Sequence, residues 1–444
     1  MEFILKAEDA KDWEYKGEGA ANVVLSYRGS FFFLIGKVLR IQKVPRGQSK
    51  LRNEGMFLSS HERLIWRDVE GLAESTSKDI AGQVFMKRVI SPLLGSKNID
   101  GGIHITVSTE FLESIEKNIC HQRPSWRVDA TKVDTLCNSA LLIADYSVFI
   151  RSIGTLKEEI CFAVEIKPKC GFLPSSEFIA QGNVIKKHVT RFRMHQLFKL
   201  HNGEVFKLSE YNPLDLFSGK RERIYPAIAA LLATPQNNFR VFLNGSLIVG
   251  GLGCGMDSAA ICLNDTNRGI EDLTKITGLR LPRFVELVSE AIFSSAVLDQ
   301  LLLAQKLDRF DIEGAIHAYY NVLSQPCEVC KTLTDNDHFQ RCSLLHAFSL
   351  EESLMIVRDY LIAATAKDCS LMISFRPVED GFATEFNSLF LKSCGQSFEY
   401  KVNFIDLDMK PLKKMVYYYG LDQKIVNLYN NCKQNEVCNG NTAE

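Results

Sequence analysis

The 444-residue chain has almost no net charge. Its 52 Lys and Arg face 53 Asp and Glu, a formal net charge of −1. A generally basic coat for nucleic acid is therefore excluded, and any polyanion site must be local. No run of about 18 apolar residues occurs, so no membrane span is expected. The longest apolar stretch, residues 291–304, is interrupted by Ser294, Ser295, Asp299 and Gln300. The opening MEFILKAEDAKDW has no basic segment followed by an apolar one, so no secretory leader is expected. Internal repeats and low-complexity tracts are also missing, which excludes solenoids and fibrous arrays.

Cysteine is not scarce. Thirteen are scattered over the chain, an odd number, which fits reduced thiols in an intracellular compartment, cytoplasm with access to the nucleus. A special pair is then expected to bind metal. With 46% hydrophobic and 24% charged residues the chain can build a substantial core, enough for two lobes.

Strand signals dominate early and helix signals late. GEGAANVVLSY reads as a glycine turn between strands, and residues 35–43 (IGKVLRIQK) as the next strand. Helix spacing of Phe111, Leu112, Ile115 and Ile119 marks residues 108–120, and residues 141–144 and 160–166 read as buried strands. Asn244 and Gly245 sit between two apolar runs, a primed-turn hairpin. Residues 250–278 read as a mobile polar loop, and 281–307 and 312–323 as long helices. Ser349 and Glu352 form a capping box opening a helix to residue 366. The end, roughly 430–444, reads as frayed, with a disordered tail from 436. The fold class is α+β, with a strand-rich N-terminal lobe (1–145) and a helix-rich C-terminal lobe (146–435).

Six constellations could carry chemistry. In the turn Gly17, Glu18, Gly19, Ala20, Ala21, Asn22, Val23, small residues allow backbone N–H groups close to phosphate oxygens. A plain hairpin is the competing reading, and the Lys-Ser/Thr of a P-loop is missing. Arg40 on the next strand could place a cation over nucleotide phosphates. In EIKPK, an extended chain would point Glu165, Lys167 and Lys169 to one face, and a solvated strand tip is the alternative. Residues 183–203 carry Lys186, Lys187, Arg191, Arg193 and Lys199 with three histidines and no acid, as though facing a small polyanion.

Asp368, read as a loop residue between helix and strand, could accept a hydroxyl proton. Asp406, or Asp408 on the same face, could hold Mg2+ for phosphoryl transfer. Pro411 suits a first helical turn, which would align Lys410, Lys414 and Tyr418 and put lysines where a bound anion would offset the helix dipole. Finally, His317, Cys327, Cys330, His338, Cys342 and His346 offer six candidates for four zinc positions around a Cys-Glu-Val-Cys knuckle. Spacing alone leaves the choice open, and His338 and Cys342 could be bystanders on a disordered loop. Four side-chain ligands would close the coordination sphere, making the zinc structural.

In this order the segments YKGEGAANVVL, GKVLRIQK, RPSWRV, VEIKPKCGFLP, RFRMHQL, YNPLDLFSG, TPQNNFRVFLNGSLI, KLDRFDIEGAIHAYYNVLSQPCEVC, YLIAATAKDCSLMISF and FIDLDMKPLKKM resemble the inositol-pentakisphosphate 2-kinases, in particular the plant enzymes, over nearly the whole chain. The resemblance implies a two-lobed, distantly protein-kinase-like fold. It implies transfer of the ATP γ-phosphoryl group to the 2-hydroxyl of inositol 1,3,4,5,6-pentakisphosphate, giving inositol hexakisphosphate (phytate), with Mg2+ and a structural Zn2+. It implies Asp368 as the base and Asp406 as Mg2+ ligand. Gly17, Glu18, Gly19, Ala20, Asn22, Val23, Arg40, Asp145, Glu165 and Arg240 would lie at the nucleotide. The inositide contacts would be Arg127, Lys167, Lys169, Lys199, Asn238, Lys410, Lys414 and Tyr418. The zinc ligands would be His317, Cys327, Cys330 and His346.

Departures from the family pattern are Ala20 in place of a second glycine, Lys414 in place of arginine, Pro45 in place of an inositide-touching arginine, and Ala144 and Tyr146 at the hinge in place of Asn and His. They motivate an alternative, an inactive inositol-polyphosphate sensor or scaffold. A zinc-containing RNA-binding module is a third reading, disfavoured by the near-neutral charge. The expected partner is a small molecule, with no nucleic acid or membrane, acting on a monomer.

Overall fold

The computed structural model describes residues 4–47, 57–149, 160–251, 259–333, 336–378 and 386–440. It is a mixed α/β molecule with two sheets.

The first sheet is built from β1 (Ile4–Leu5), β2 (Trp13–Glu18), β3 (Asn22–Tyr27), β4 (Lys37–Pro45), β5 (Ile103–Val107), β6 (Thr131–Val133) and β7 (Ser139–Ala144). Their order is β1-β5-β7-β4-β3-β2, with β6 paired to β4. Among the described residues only β1 and β5 run parallel; the other pairs are antiparallel. The inward positions Val23, Leu25, Leu39 and Ile41 pack on Phe111, Leu112, Ile115 and Ile119 of the helix Thr109–Ile119. That helix is capped by Ser108, whose hydroxyl accepts from the Phe111 N–H.

The second sheet contains β8 (Phe162–Ile166), β9 (Phe239–Leu243), β10 (Ser246–Val249), β11 (Ser370–Val378), β12 (Asn387–Leu391) and β13 (Gln396–Ile405), ordered β10-β9-β8-β11-β13-β12 and antiparallel throughout. The expected Asn244 and Gly245 hairpin joins β9 to β10, with both residues at positive φ. β8 is buried along its length: Phe162, Val164 and Ile166 join the main apolar cluster, and Ala163 packs with Phe242, Met372 and Tyr146.

Four expectations about elements need correction. Residues 259–277, read as a mobile loop from their glycines and polar side chains, form the helix Ala259–Thr277, while 252–258 lie outside the described residues. The single helix expected over 281–307 breaks at Ala296, which adopts a left-handed conformation (φ 51°) between Leu281–Ser295 and Val297–Gln305. The helix after Pro411 begins only at Lys414, because Pro411 and Leu412 form a preceding turn that the Lys414 and Met415 N–H groups close. That helix then continues to Gly440, past residue 436, and 441–444 lie outside the described residues. The capping box is as expected: Ser349 and Glu352 open the helix Leu350–Asp368.

Candidate active site

Strand register brings distant charges to one end of the second sheet. Glu165 on β8 lies directly opposite Arg240 on β9, and their side chains pair at 2.9 Å. Glu165 is buried, and its other oxygen accepts from the Ser370 hydroxyl at 3.0 Å. Lys167, two residues on, points the same way, with Nζ 3.9 Å from Glu165 and 3.0 Å from Asp406 Oδ2. The extended alternation stops there. Lys169 takes φ 61°, so its side chain reaches the cavity through a left-handed turn rather than the pleat. Asp406, just past β13, also sits at positive φ (60°). Two non-glycine residues in this region mark a backbone held by its surroundings.

Asp368 is the last residue of the helix Leu350–Asp368, not a loop residue. Lys410 Nζ meets its Oδ2 at 2.6 Å. Asp368 borders a cavity of about 340 Å³ whose walls include Lys169, Lys199, Asn238, Lys410 and Tyr418. Five of the eight expected inositide residues thus share one chamber. Lys167 lies alongside, on Asp406. Lys414 is exposed with its ammonium 4.8 Å from the Tyr417 ring. Arg127 is elsewhere: it stacks on Trp126 and donates to the Gly19 carbonyl at 3.2 Å.

Electrostatics in the chamber favour anions. Desolvation lowers the affinity of Lys169 for its proton, with Lys167 and Lys199 adding to the effect against Asp368, and its pKa falls to about 8. For Asp368, enclosure in the cleft opposes the charge, but Lys410, Lys169 and Lys167 outweigh it and hold the carboxyl below its usual range. Lys167 and Arg40 do the same for Asp406. His195, on the same wall, is kept neutral by burial and by Lys199 and Arg191, with its pKa pushed down to about 3.

A second cavity lies between the sheets. Val24, Val38, Met86, Ile143, Met372 and Phe404 make its apolar walls, and Arg40, Asp145 and Asp406 its polar edge. Asp145 is engaged by Lys16 at 2.7 Å and by Ser147. Arg40 grips Asp408 with one nitrogen 3.0 and 2.9 Å from the two carboxylate oxygens. Glycines 17 and 19 bound a tight turn closed by the Gly19 N–H on the Asn22 carbonyl, and a Cβ on either would meet nothing within 4 Å. The backbone there is open to an approaching group. Glu18 offers only that backbone, since its carboxylate is buried against Arg123 and Lys43.

The basic run at 183–203 divides. Both Lys199 and Lys186 touch the large cavity, but Lys186 is buried among Asp311, Glu313 and Asp422 at 2.5, 2.9 and 2.8 Å. Asp422 also pairs with Arg191. Lys186 is therefore a neutralised core cation, and sequence distance hid its partners.

Away from the cleft, the Nδ1 of His317, the thiols of Cys327 and Cys330, and Nε2 of His346 converge, all within 4.8 Å of one another. His346 turns its other nitrogen to the Asn321 oxygen at 2.8 Å, which orients the ring. His338 and Cys342 are not loop bystanders but lie buried in the helix Asn336–His346, 3.6 Å apart. They stand outside the four-donor group.

The family model described as inositol-pentakisphosphate 2-kinase matches residues 15–424. The chain is 54% identical to an inositol-pentakisphosphate 2-kinase of Oryza sativa subsp. indica, covering 97% of this chain and 96% of that protein. It is 49% identical to one of Arabidopsis thaliana (100% and 98%) and 31% identical to one of Danio rerio (95% and 93%).

Proposed function

The chain belongs to the inositol-pentakisphosphate 2-kinase family, and on that premise we propose how its cleft transfers the γ-phosphoryl group of ATP to the 2-hydroxyl of inositol 1,3,4,5,6-pentakisphosphate, yielding the hexakisphosphate. The observation that carries the assignment of roles is Asp368: a carboxylate, paired with Lys410, that borders the chamber on which Lys169, Lys199 and Lys410 converge. The substrate bears roughly eight or more negative charges at neutral pH, at about −1.5 to −2 per phosphate. Lys169, Lys199, Lys410 and Asn238 would bind its phosphates, with Tyr418 beside them. Lys414 and Arg127 do not line this chamber, and to touch the inositide their side chains would have to leave Tyr417 and the Gly19 carbonyl.

Asp368 would hold the 2-hydroxyl and accept its proton. Its depressed pKa makes it a weak base that is always ready as an acceptor. That suits a loose phosphoryl-transfer transition state, in which the hydroxyl loses its proton late. The apolar cavity between the sheets fits a purine, with the open turn of Gly17, Glu18, Gly19, Ala20, Asn22 and Val23, together with Arg40, toward the phosphates. Asp145 would lie at the nucleoside. Glu165 and Arg240 would order Lys167 near the transfer point. Asp406 and Asp408, each with a solvent-accessible carboxylate, fit a magnesium ion, which when bound would neutralise charge on the transferring group.

The lobes of this reading are kinase-like: residues 1–145 carry the nucleotide turn, and 146–435 carry the inositide chamber and catalytic Asp368. The Cys2His2 group fits zinc by the softness of its donors and by the oriented His346 ring. Its four ligands leave no open position, so the metal would fasten the segment 317–346 rather than react. Reduced thiols there favour an intracellular location. The sensor alternative is disfavoured by near-complete alignment with relatives that are themselves named as kinases.

The test is transfer from ATP-Mg to inositol 1,3,4,5,6-pentakisphosphate, with the product resolved by phosphorus NMR. A new phosphate at the 2-position is expected. Tight inositide binding without turnover would support the sensor instead.

A further inference from the structure

Gln305 closes the helix Val297–Gln305, has no solvent exposure, and belongs to none of the charged constellations. Its amide is nevertheless saturated by the two segments that build the transfer point. The side-chain oxygen accepts from the Gly171 N–H at 2.8 Å. The nitrogen donates to the Lys169 carbonyl at 2.8 Å and to the Ala366 carbonyl at 3.2 Å. Lys169 is the residue whose left-handed backbone swings its ammonium into the inositide chamber. Ala366 lies in the last turn of the helix that ends in Asp368, where carbonyls lack intrahelical partners. One side chain thus ties the backbone of Lys169 to the helical turn that carries the proposed base. Three residues on, Asp308 grips the neighbouring Lys367 at 2.6 Å, so the same short segment holds that helical turn twice.

We propose that Gln305 is a positioning residue for phosphoryl transfer, setting the spacing between Lys169 and Asp368. The inference rests on the roles assigned above to those two residues. No other side chain can replace it cheaply. The site needs two donors toward carbonyls and one acceptor toward an N–H, the inventory of a primary amide. Methionine fills the volume but leaves the Gly171 N–H and the Lys169 carbonyl without the amide and the Ala366 carbonyl with only the Cys369 thiol, and glutamate keeps the shape but sets oxygen against two carbonyls. Because Lys169 stands in a sparsely populated backbone region, release of its carbonyl lets the turn relax. A displacement of about 1 Å at a transfer site can cost about 10²-fold in rate.

The experiment compares wild type, Gln305→Met and Gln305→Glu for steady-state kinetics in both substrates, with melting temperature and active-site titre measured in parallel. The expected result for both variants is a kcat at least about tenfold lower per active site and a KM for the pentakisphosphate several-fold higher, with KM for ATP within about twofold of wild type. A merely structural glutamine would lower the melting temperature and the titre while leaving kcat per active site and both KM values unchanged, and that result overturns the proposal. Equal rises in both KM values would also overturn it, since they would indicate a general loosening of the cleft. If the wild type itself does not phosphorylate the pentakisphosphate, the kinase reading fails first, and that outcome is recognisable before any variant is compared.

Discussion

Two regions of this molecule are dense in ion pairs, and they are built in opposite ways. Under the glycine turn, Glu18 meets Arg123 and Lys43, and every side chain in the group is essentially removed from solvent (0–1% exposed). The Lys186 cluster is similar, with no member above 10%. Three pairs in the cleft are lopsided. Lys167, Lys410 and Arg40 are 15–16% exposed, while their partners Asp406, Asp368 and Asp408 are 48–60% exposed. A fully desolvated group has already exchanged its hydration for fixed partners, so it shapes the fold. A sheltered cation whose counter-ion still faces water keeps an exchangeable partner and can pass its charge to a substrate phosphate.

The sharpest way to break this contrast is to change one acid in each region. Asp368→Asn should lower kcat by about 10²–10⁴-fold, the usual range for a positioned proton acceptor, with pentakisphosphate binding by calorimetry unchanged or tighter. A loss of binding with the fold intact would remove Asp368 from the acceptor role. Glu18→Gln should do the reverse. Leaving Arg123 and Lys43 without their carboxylate should cost about 3–5 kcal/mol in denaturant unfolding, while kcat per folded molecule changes little. A rate defect comparable to that of Asp368→Asn would erase the distinction between architectural and exchangeable pairs.

The four-donor group offers a third, intermediate test. Purified protein should carry about one zinc per chain by elemental analysis, and Cys330→Ser should lose it and melt at a lower temperature with little change in kcat. Stoichiometric zinc in that variant would sink the ligand choice.

The smallest expected effect is a pH dependence. Lys169 has its pKa near 8 in the free protein, so it is protonated and able to bind phosphate below that value and loses its charge above it. The pKa is depressed relative to an exposed lysine, so the window opens downward from pH 8, not from pH 10. kcat/KM for the pentakisphosphate should therefore fall several-fold between pH 7 and 9, and Lys169→Arg should flatten that fall. A profile unchanged by the arginine substitution would assign the titration elsewhere.

What could be read from the sequence was what is encoded locally. The Asn244 and Gly245 turn, the Ser349 and Glu352 capping box and the Cys327 and Cys330 knuckle each place their determinants within a few residues. The family resemblance, carried by long segments, reached further and named Lys169, Lys199, Asn238, Asp368, Lys410 and Tyr418, which share the chamber. What escaped reading depends on partners far away. The basic run looked like one anion-binding face until Lys186 found acids that follow it by 125 residues or more. Glycine and polar composition argued for a loop at 250–278, yet tertiary packing holds 259–277 as a helix. A glutamine carries no periodicity and no charge signal, so nothing marked Gln305. The left-handed turn at Lys169 was likewise invisible, because Lys-Pro-Lys favours extension up to the proline and says nothing beyond it.

The register of β8, β11 and β13 has a consequence for how this protein comes into being. Glu165 sits across from Met372, and Ser370 from Ile405, the residue before Asp406. Strands separated by some two hundred residues must zip together before these groups are neighbours. Pairings of that sequence separation cost more chain entropy to close than local ones. A chain emerging from the ribosome can finish its first sheet while the transfer point does not yet exist. The residues of the transfer point come together only when β11 and β13 join β8.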